Sequence, residues 1–213
     1  NANYHKGTIE TPANLWKFKE GDPNPDESRR VFPLADDISK CFGGVKTLIT
    51  NDANAATIGE MIYGNAKGMR DFIMITLGTG LGSGFVANGE MVYGHDGFAG
   101  EFGHIPFFDN EIICSCGKKG CLETEVSGIA IEDKMCHLIQ KGVNTILKEK
   151  YDQQKTIHID DIITAAKNDD NLSIELIEEA GEKVGKAVAF LINTFNPETV
   201  IVGGNLAAAG DYI

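Results

Sequence analysis

Cys114-Ser115-Cys116-Gly117-Lys118-Lys119-Gly120-Cys121-Leu122-Glu123, preceded by Gly100-Glu101-Phe102-Gly103-His104, places one imidazole and three thiols at metal-ligand spacing between two carboxylates. Three Cys and one His close a tetrahedral Zn²⁺ with no open position, the arrangement of a structural rather than a catalytic site. Gly117 and Gly120 allow a short loop to wrap the ion. His104, Cys114, Cys116 and Cys121 are therefore the expected ligands. A set of buried free thiols is the alternative, but these cysteines are interleaved with Gly and Lys, not with apolar residues.

The rest of the chain sets bounds on what such a site serves. With 213 residues, 42% of them hydrophobic, it can build a substantial core. No apolar run reaches the ~20 residues of a membrane span, and no basic-then-apolar leader opens the chain. Five cysteines without a sign of export read as reduced, cytoplasmic thiols. The formal net charge of −12 argues against a nucleic-acid partner, whose backbone is held by clustered Lys and Arg. An anionic ligand must then be held by backbone N–H groups, a metal or a few lysines.

Along the chain, Glu20 to Ser28 is an acidic, Pro-rich connection flanked by Trp16, Phe18, Val31, Phe32 and Leu34, with a helix expected over Leu34 to Phe42. Val45 to Thr50 reads as a short strand and Asn51 to Tyr63 as a helix, which puts Asp52 at a strand-to-helix junction. Phe72 to Leu77 is a buried-type strand, Gly78 to Gly84 a glycine-rich turn, and Phe85 to Val92 a returning strand pair. Ile129 to Leu147 and Leu172 to Phe195 read as amphipathic helices, the second with Leu172, Leu176, Ala180, Val184, Ala187, Val188 and Leu191 on one face. Thr199 to Val202 is a last strand, ending in Gly203-Gly204. Cys41 and Cys136 read as buried thiols, and Asp160-Asp161 and Asp169-Asp170 as helix starts.

Gly78, Thr79, Gly80 and Gly82 can expose consecutive N–H groups to a phosphate, although glycine-rich hairpin tips are more often plain turns. Asn51-Asp52 before a helix is ordinarily an N-cap. In company, the runs Asn51-Asp52-Ala53-Asn54-Ala55-Ala56, Leu77 to Gly84, Gly100 to His104 and Cys114 to Glu123 resemble the ROK family of sugar kinases and sugar-responsive repressors, bacterial glucokinases above all. The resemblance implies an α/β fold, actin-like and ribonuclease-H-like, of two domains with ATP and sugar in the cleft between them. Residues 1–50 would be the remainder of a small N-terminal domain, and residues 51–213 a large domain carrying the zinc loop (104–121), C-terminally incomplete.

By the same resemblance, Asp52 is the general base toward a hexose hydroxyl. Asn51, Glu101, His104 and Glu123 bind the other hydroxyls. Gly78, Thr79 and Gly80 form a phosphate loop, and Gly203 and Gly204 belong to the adenosine pocket, with Asn205 where the family often has another glycine. His104 would serve twice, one ring nitrogen on zinc and the other toward the sugar. The implied partners are a hexose, glucose favoured and phosphorylated at its 6-hydroxyl, and ATP with Mg²⁺; a homodimer or higher homo-oligomer is expected. The family's N-terminal Asp-x-Gly-Gly-Thr phosphate loop does not occur here, which points to part of a longer chain. The rival is a sugar-sensing repressor of the same family, which keeps the sugar and zinc residues but has less need of a base. A zinc-stapled interaction module is disfavoured because Glu101 and Glu123 bracket the motif without serving as ligands.

Overall fold

The computed structural model describes residues 2–10 and 31–213; the Pro-rich segment Glu20 to Ser28 and the aromatics Trp16 and Phe18 lie outside the described residues. Near the N-terminus, β1 (Ala2–Asn3), β2 (Thr8–Glu10) and β3 (Val31–Phe32) form an antiparallel sheet in that order. The expected helix follows as α1 (Leu34–Cys41), docked where the Ala35 N–H donates to the Gly7 carbonyl at 3.0 Å.

The larger sheet runs β6-β5-β4-β7, from β4 (Phe72–Leu77), β5 (Leu81–Ala87), β6 (Glu90–Met91) and β7 (Thr199–Gly203). Only β4 and β7 are parallel, so both end at the same edge. Period-two alternation gives the sheet two faces. Ile73, Ile75 and Leu77 point into the main core with Leu81 and Phe85, packed among α4 (Gly128–Gln140), α6 (Ile159–Ala166) and α7 (Asn171–Phe195), whose Met135, Ile162 and Ile177 are fully buried. The opposite face is covered by α2 (Asp52–Tyr63).

Glycines decide how close α2 comes. A Cβ at Gly82 would lie 2.8 Å from the Ala53 Cβ, and one at Gly84 would lie 2.1 Å from the Thr57 Oγ1. Gly82 and Gly84 thus do not belong to the turn that composition suggests; they are strand residues on which a helix rests. The turn itself is only Gly78 to Gly80.

Three further expectations need correction. Val45 to Thr50 is not a strand, because no described strand lies alongside to complete a ladder, and Val45 and Leu48 are exposed. The helix expected over Ile129 to Leu147 ends at Gln140. Gly142, at a φ of 88°, breaks it, and Asp170 accepts from the Thr145 hydroxyl and the Ile146 N–H to hold the next loop before α5 (Lys148–Gln154). Cys41 is exposed, not buried. The expected stripe of α7 is buried at Leu172, Leu176, Ala180, Val184, Ala187 and Leu191, and Asp170 caps that helix through the Ser173 N–H at 3.0 Å. No helix among the described residues is long and apolar enough to cross a membrane.

Candidate functional site

The first three residues of β5 gather the site. The Leu81 N–H donates to Glu123 Oε2 at 2.9 Å, Gly82 seats the first turn of α2, and the Ser83 hydroxyl donates to the Gly100 carbonyl. Gly103 passes so close to the Leu81 carbonyl that a Cβ there would stand 2.4 Å from it. Segments far apart in sequence therefore meet on one strand end.

The chain from His104 to Cys121 folds back on itself as a strap, with bridges Pro106 to Cys121 and Ile113 to Lys119. Gly117 and Gly120 both have positive φ (85° and 71°), and a Cβ at Gly120 would strike the Phe108 carbonyl at 1.9 Å. The strap draws His104, Cys114, Cys116 and Cys121 together until their ligand atoms all lie within 4.8 Å of one another. Cys116 Sγ is 3.6 Å from Cys121 Sγ, and Cys114 Sγ is 3.4 Å from His104 Nδ1. Zn–S and Zn–N bonds of ordinary length give tetrahedron edges of about 3.8 Å and about 3.5 Å, so the donor set fits zinc. Burial, then the neighbouring Cys116 and Cys114, push the Cys121 thiol up to about 12. Burial also raises Cys116, but the Lys118 N–H, hydrogen bonds from Cys114 and Cys121 and the Lys118 charge outweigh it, so its pKa lies below the ordinary thiol value.

His104 presents its two nitrogens to different groups. Nδ1 faces the thiols and lies 3.9 Å from Glu123 Oε1, whereas Nε2 lies 3.9 Å from Glu101 Oε2. Glu101 is exposed and Glu123 largely covered, on the two sides of a half-buried imidazole. Three of the expected sugar-binding residues are thus gathered in one place. The other expected pair stands at the start of α2, where Asn51 Oδ1 accepts the Asn54 N–H at 2.7 Å as the N-cap and Asp52 is exposed. Asn51 therefore caps as the plain reading had it, and Asp52 accepts the Ala53 N–H at 3.0 Å through Oδ1.

The two glycine loops are neighbours. Thr76 pairs with Gly203 in the parallel ladder, so the turn Gly78, Thr79, Gly80 and the pair Gly203-Gly204 leave the sheet at the same edge. A Cβ at Gly78 would meet nothing within 4 Å, and the space above that residue is open. Gly204, at a φ of 93°, runs against the backbone of Leu77, where a Cβ would stand 2.3 Å from the carbonyl oxygen. Ligands in α/β sheets bind at this kind of edge, beyond the carboxyl ends of parallel strands.

Sequence reasoning missed Ser83, the Leu81 N–H and the packing role of Gly82 and Gly84. Two glycines at period two inside a strand are a signal of close backbone approach that was available; the Leu81 and Ser83 contacts had none.

The family model for ROK proteins matches residues 21–213. The chain belongs to the ROK family. Among its relatives, the glucokinase of Halalkalibacterium halodurans is 36% identical over 185 residues, covering 86% of this chain and 56% of that protein. The structure of a ROK glucokinase from Streptomyces griseus in complex with glucose and AMPPNP superposes with a TM-score of 0.73 at 32% identity, covering 84% of this chain and 58% of that one. A ROK transcriptional regulator, a homologue of the E. coli MLC protein, superposes at 0.82 with 31% identity, over 99% of this chain and 49% of that one. The chain thus spans little more than half the length of the glucokinase it matches, and its fold is the actin-like fold of ROK sugar kinases.

Proposed function

We propose that this chain serves an ATP-dependent, cytoplasmic hexose kinase, with glucose the favoured acceptor and its 6-hydroxyl the phosphorylated group. The observation that carries the reading is the meeting of Glu101, His104 and Glu123 on the strand end that also seats the α2 N-terminus bearing Asp52. A neutral polyol is selected by groups that accept and donate in fixed directions, and a sugar lacking a hydroxyl would leave one of them unpaired. In this reading residues 1–50 belong to the small domain and residues 51–213 to the large one.

Asp52 takes the proton from the attacking hydroxyl, which needs an accessible carboxylate, and Asn51, Glu101, His104 and Glu123 hold the ring. The N–H groups of Thr79 and Gly80 would face the transferred phosphate, that of Gly78 being given to the Gly80 carbonyl at 3.0 Å to close the turn, and Gly203 and Gly204 would border the adenosine. Phosphoryl transfer asks mainly for positioning and charge stabilisation, to which Mg²⁺ arriving with the nucleotide adds its charge. Zinc on His104, Cys114, Cys116 and Cys121 would do no chemistry; it would fix the tautomer and aim of His104.

Asp52→Asn in the full-length protein keeps shape and removes the proton acceptor. Its kcat with glucose and MgATP should fall by on the order of 10²–10⁴ while glucose affinity changes little. Near-normal turnover removes Asp52 from the mechanism. A second reading, the effector domain of a sugar-sensing repressor, is favoured by the superposition on the transcriptional regulator. It predicts glucose binding with no turnover in the wild type.

A further inference from the structure

Glu123 sits on a helix of only four residues, α3 (Glu123–Val126), too short to hold its own direction. What holds it lies on its other side. The Glu125 carboxylate accepts from Asn110 Nδ2 at 2.5 Å through Oε1 and from Lys183 Nζ at 2.5 Å through Oε2. Lys183, on α7, also donates to Glu179 Oε1 at 2.8 Å, stands 5.5 Å over the Phe108 ring, and shares Glu179 with Lys134 of α4. The Lys183 and Glu125 side chains are each only 18% exposed, so this is not a solvated surface pair. Burial would lower the Lys183 pKa, but Glu125 and Glu179 outweigh it and the ammonium is held charged.

One cation thus ties together the elements that carry the site. Asn110 and Phe108 belong to the strap that brings Cys114 to His104, Glu125 is two residues from Glu123 on the same short helix, and α7 buries one face in the main core. We propose that Lys183, acting through Glu125 and Asn110, is a positioning residue that fixes the direction in which Glu123 meets the Leu81 N–H, His104 and the hexose. The hexose part of this statement rests on the reading of Glu123 as a sugar ligand. Lys183 touches neither the sugar nor the metal ligands; its effect is transmitted by the tilt of α3.

The Leu81 N–H reports the position of Glu123 without any ligand, because it donates to that carboxylate. Amide spectra of the full-length protein should show the Leu81 proton shifted by Glu123→Gln. Lys183→Met and Glu125→Gln should shift it in the same direction, while Lys183→Arg should hold it in place. Calorimetry should find glucose affinity lowered about tenfold in Lys183→Met and Glu125→Gln, the low end of what supporting partners of a ligand cause, with MgATP affinity unchanged and glucose affinity restored in Lys183→Arg. A Leu81 proton unmoved in a folded Lys183→Met or Glu125→Gln protein overturns the proposal. So does glucose and MgATP affinity falling together, which would mark general loosening. If the wild type binds no hexose, the kinase reading fails, and the Leu81 shifts still decide whether Lys183 directs Glu123.

Discussion

Cys116 is the exposed member of the four-residue cluster, with its Sγ 3.6 Å from Cys121 Sγ, and in the proposed site it acts on the His104 imidazole only through a shared metal. If the cluster holds zinc, purified protein carries about one ion per chain, and its thiols stay closed to alkylating reagents until the metal is stripped. Cys116→Ala should then lose both the zinc and about ten- to a hundredfold in glucose affinity, measured by metal analysis and calorimetry on one preparation. Zinc-free native protein, or a variant that binds glucose normally, would defeat this account. The grouping of His104, Cys114, Cys116 and Cys121 was legible in the sequence because the strap is local: all four lie within one loop whose glycines mark its turns. Lys183 was not legible, because its partner Glu125 is 58 positions away and nothing local distinguishes it from any helix-face lysine.

Between elements, the contact of α2 with β5 places Asp52, and it rests on missing side chains. Gly84→Ala would push a methyl group into the Thr57 side chain, whose hydroxyl already donates to the Ala53 carbonyl at 2.7 Å. Overpacking of this kind should cost about 1–3 kcal/mol in denaturant unfolding, with part of the loss recovered in the Gly84→Ala/Thr57→Ala double variant. Additive losses would mean that the two side chains do not collide. Elements with a plain period, β4 and α7, could be read directly from the sequence. β5 could not, since its glycines carry the composition of a turn and declare themselves as strand only through pairing with β4. The helix over Ile129 to Leu147 failed similarly: the apolar residues continue past Gln140, but Gly142 and the hold of Asp170 on Thr145 and Ile146 divert the chain.

For the molecule as a whole, the acidic excess of 31 carboxylates over 19 Lys and Arg sets how it responds to pH. Asp170 is buried and joins the start of α7 to the loop before α5. Burial would raise its pKa, but hydrogen bonds from Ser173, Ile146 and Thr145 hold it below the ordinary carboxylate range. The folded state therefore binds this proton less readily than the unfolded chain does. The stability it confers is complete above the unfolded value of about 3.9 and is lost as pH falls toward the lower folded pKa. Asp170→Asn should lower the melting temperature at neutral pH by several degrees, and its difference from wild type should shrink on acidification, as two melting series would show. A constant difference would mean that Asp170 acts by shape alone. The close pass of Gly204 against Leu77 reaches further. The separation of the two loops that leave the parallel strands is set there by main-chain atoms, with no side chain between them. It works as a ruler whose graduation is the absence of a side chain at Gly204: any Cβ there would have to push the two loops apart, whereas changes at the open rim above Gly78 would leave the spacing of the floor untouched.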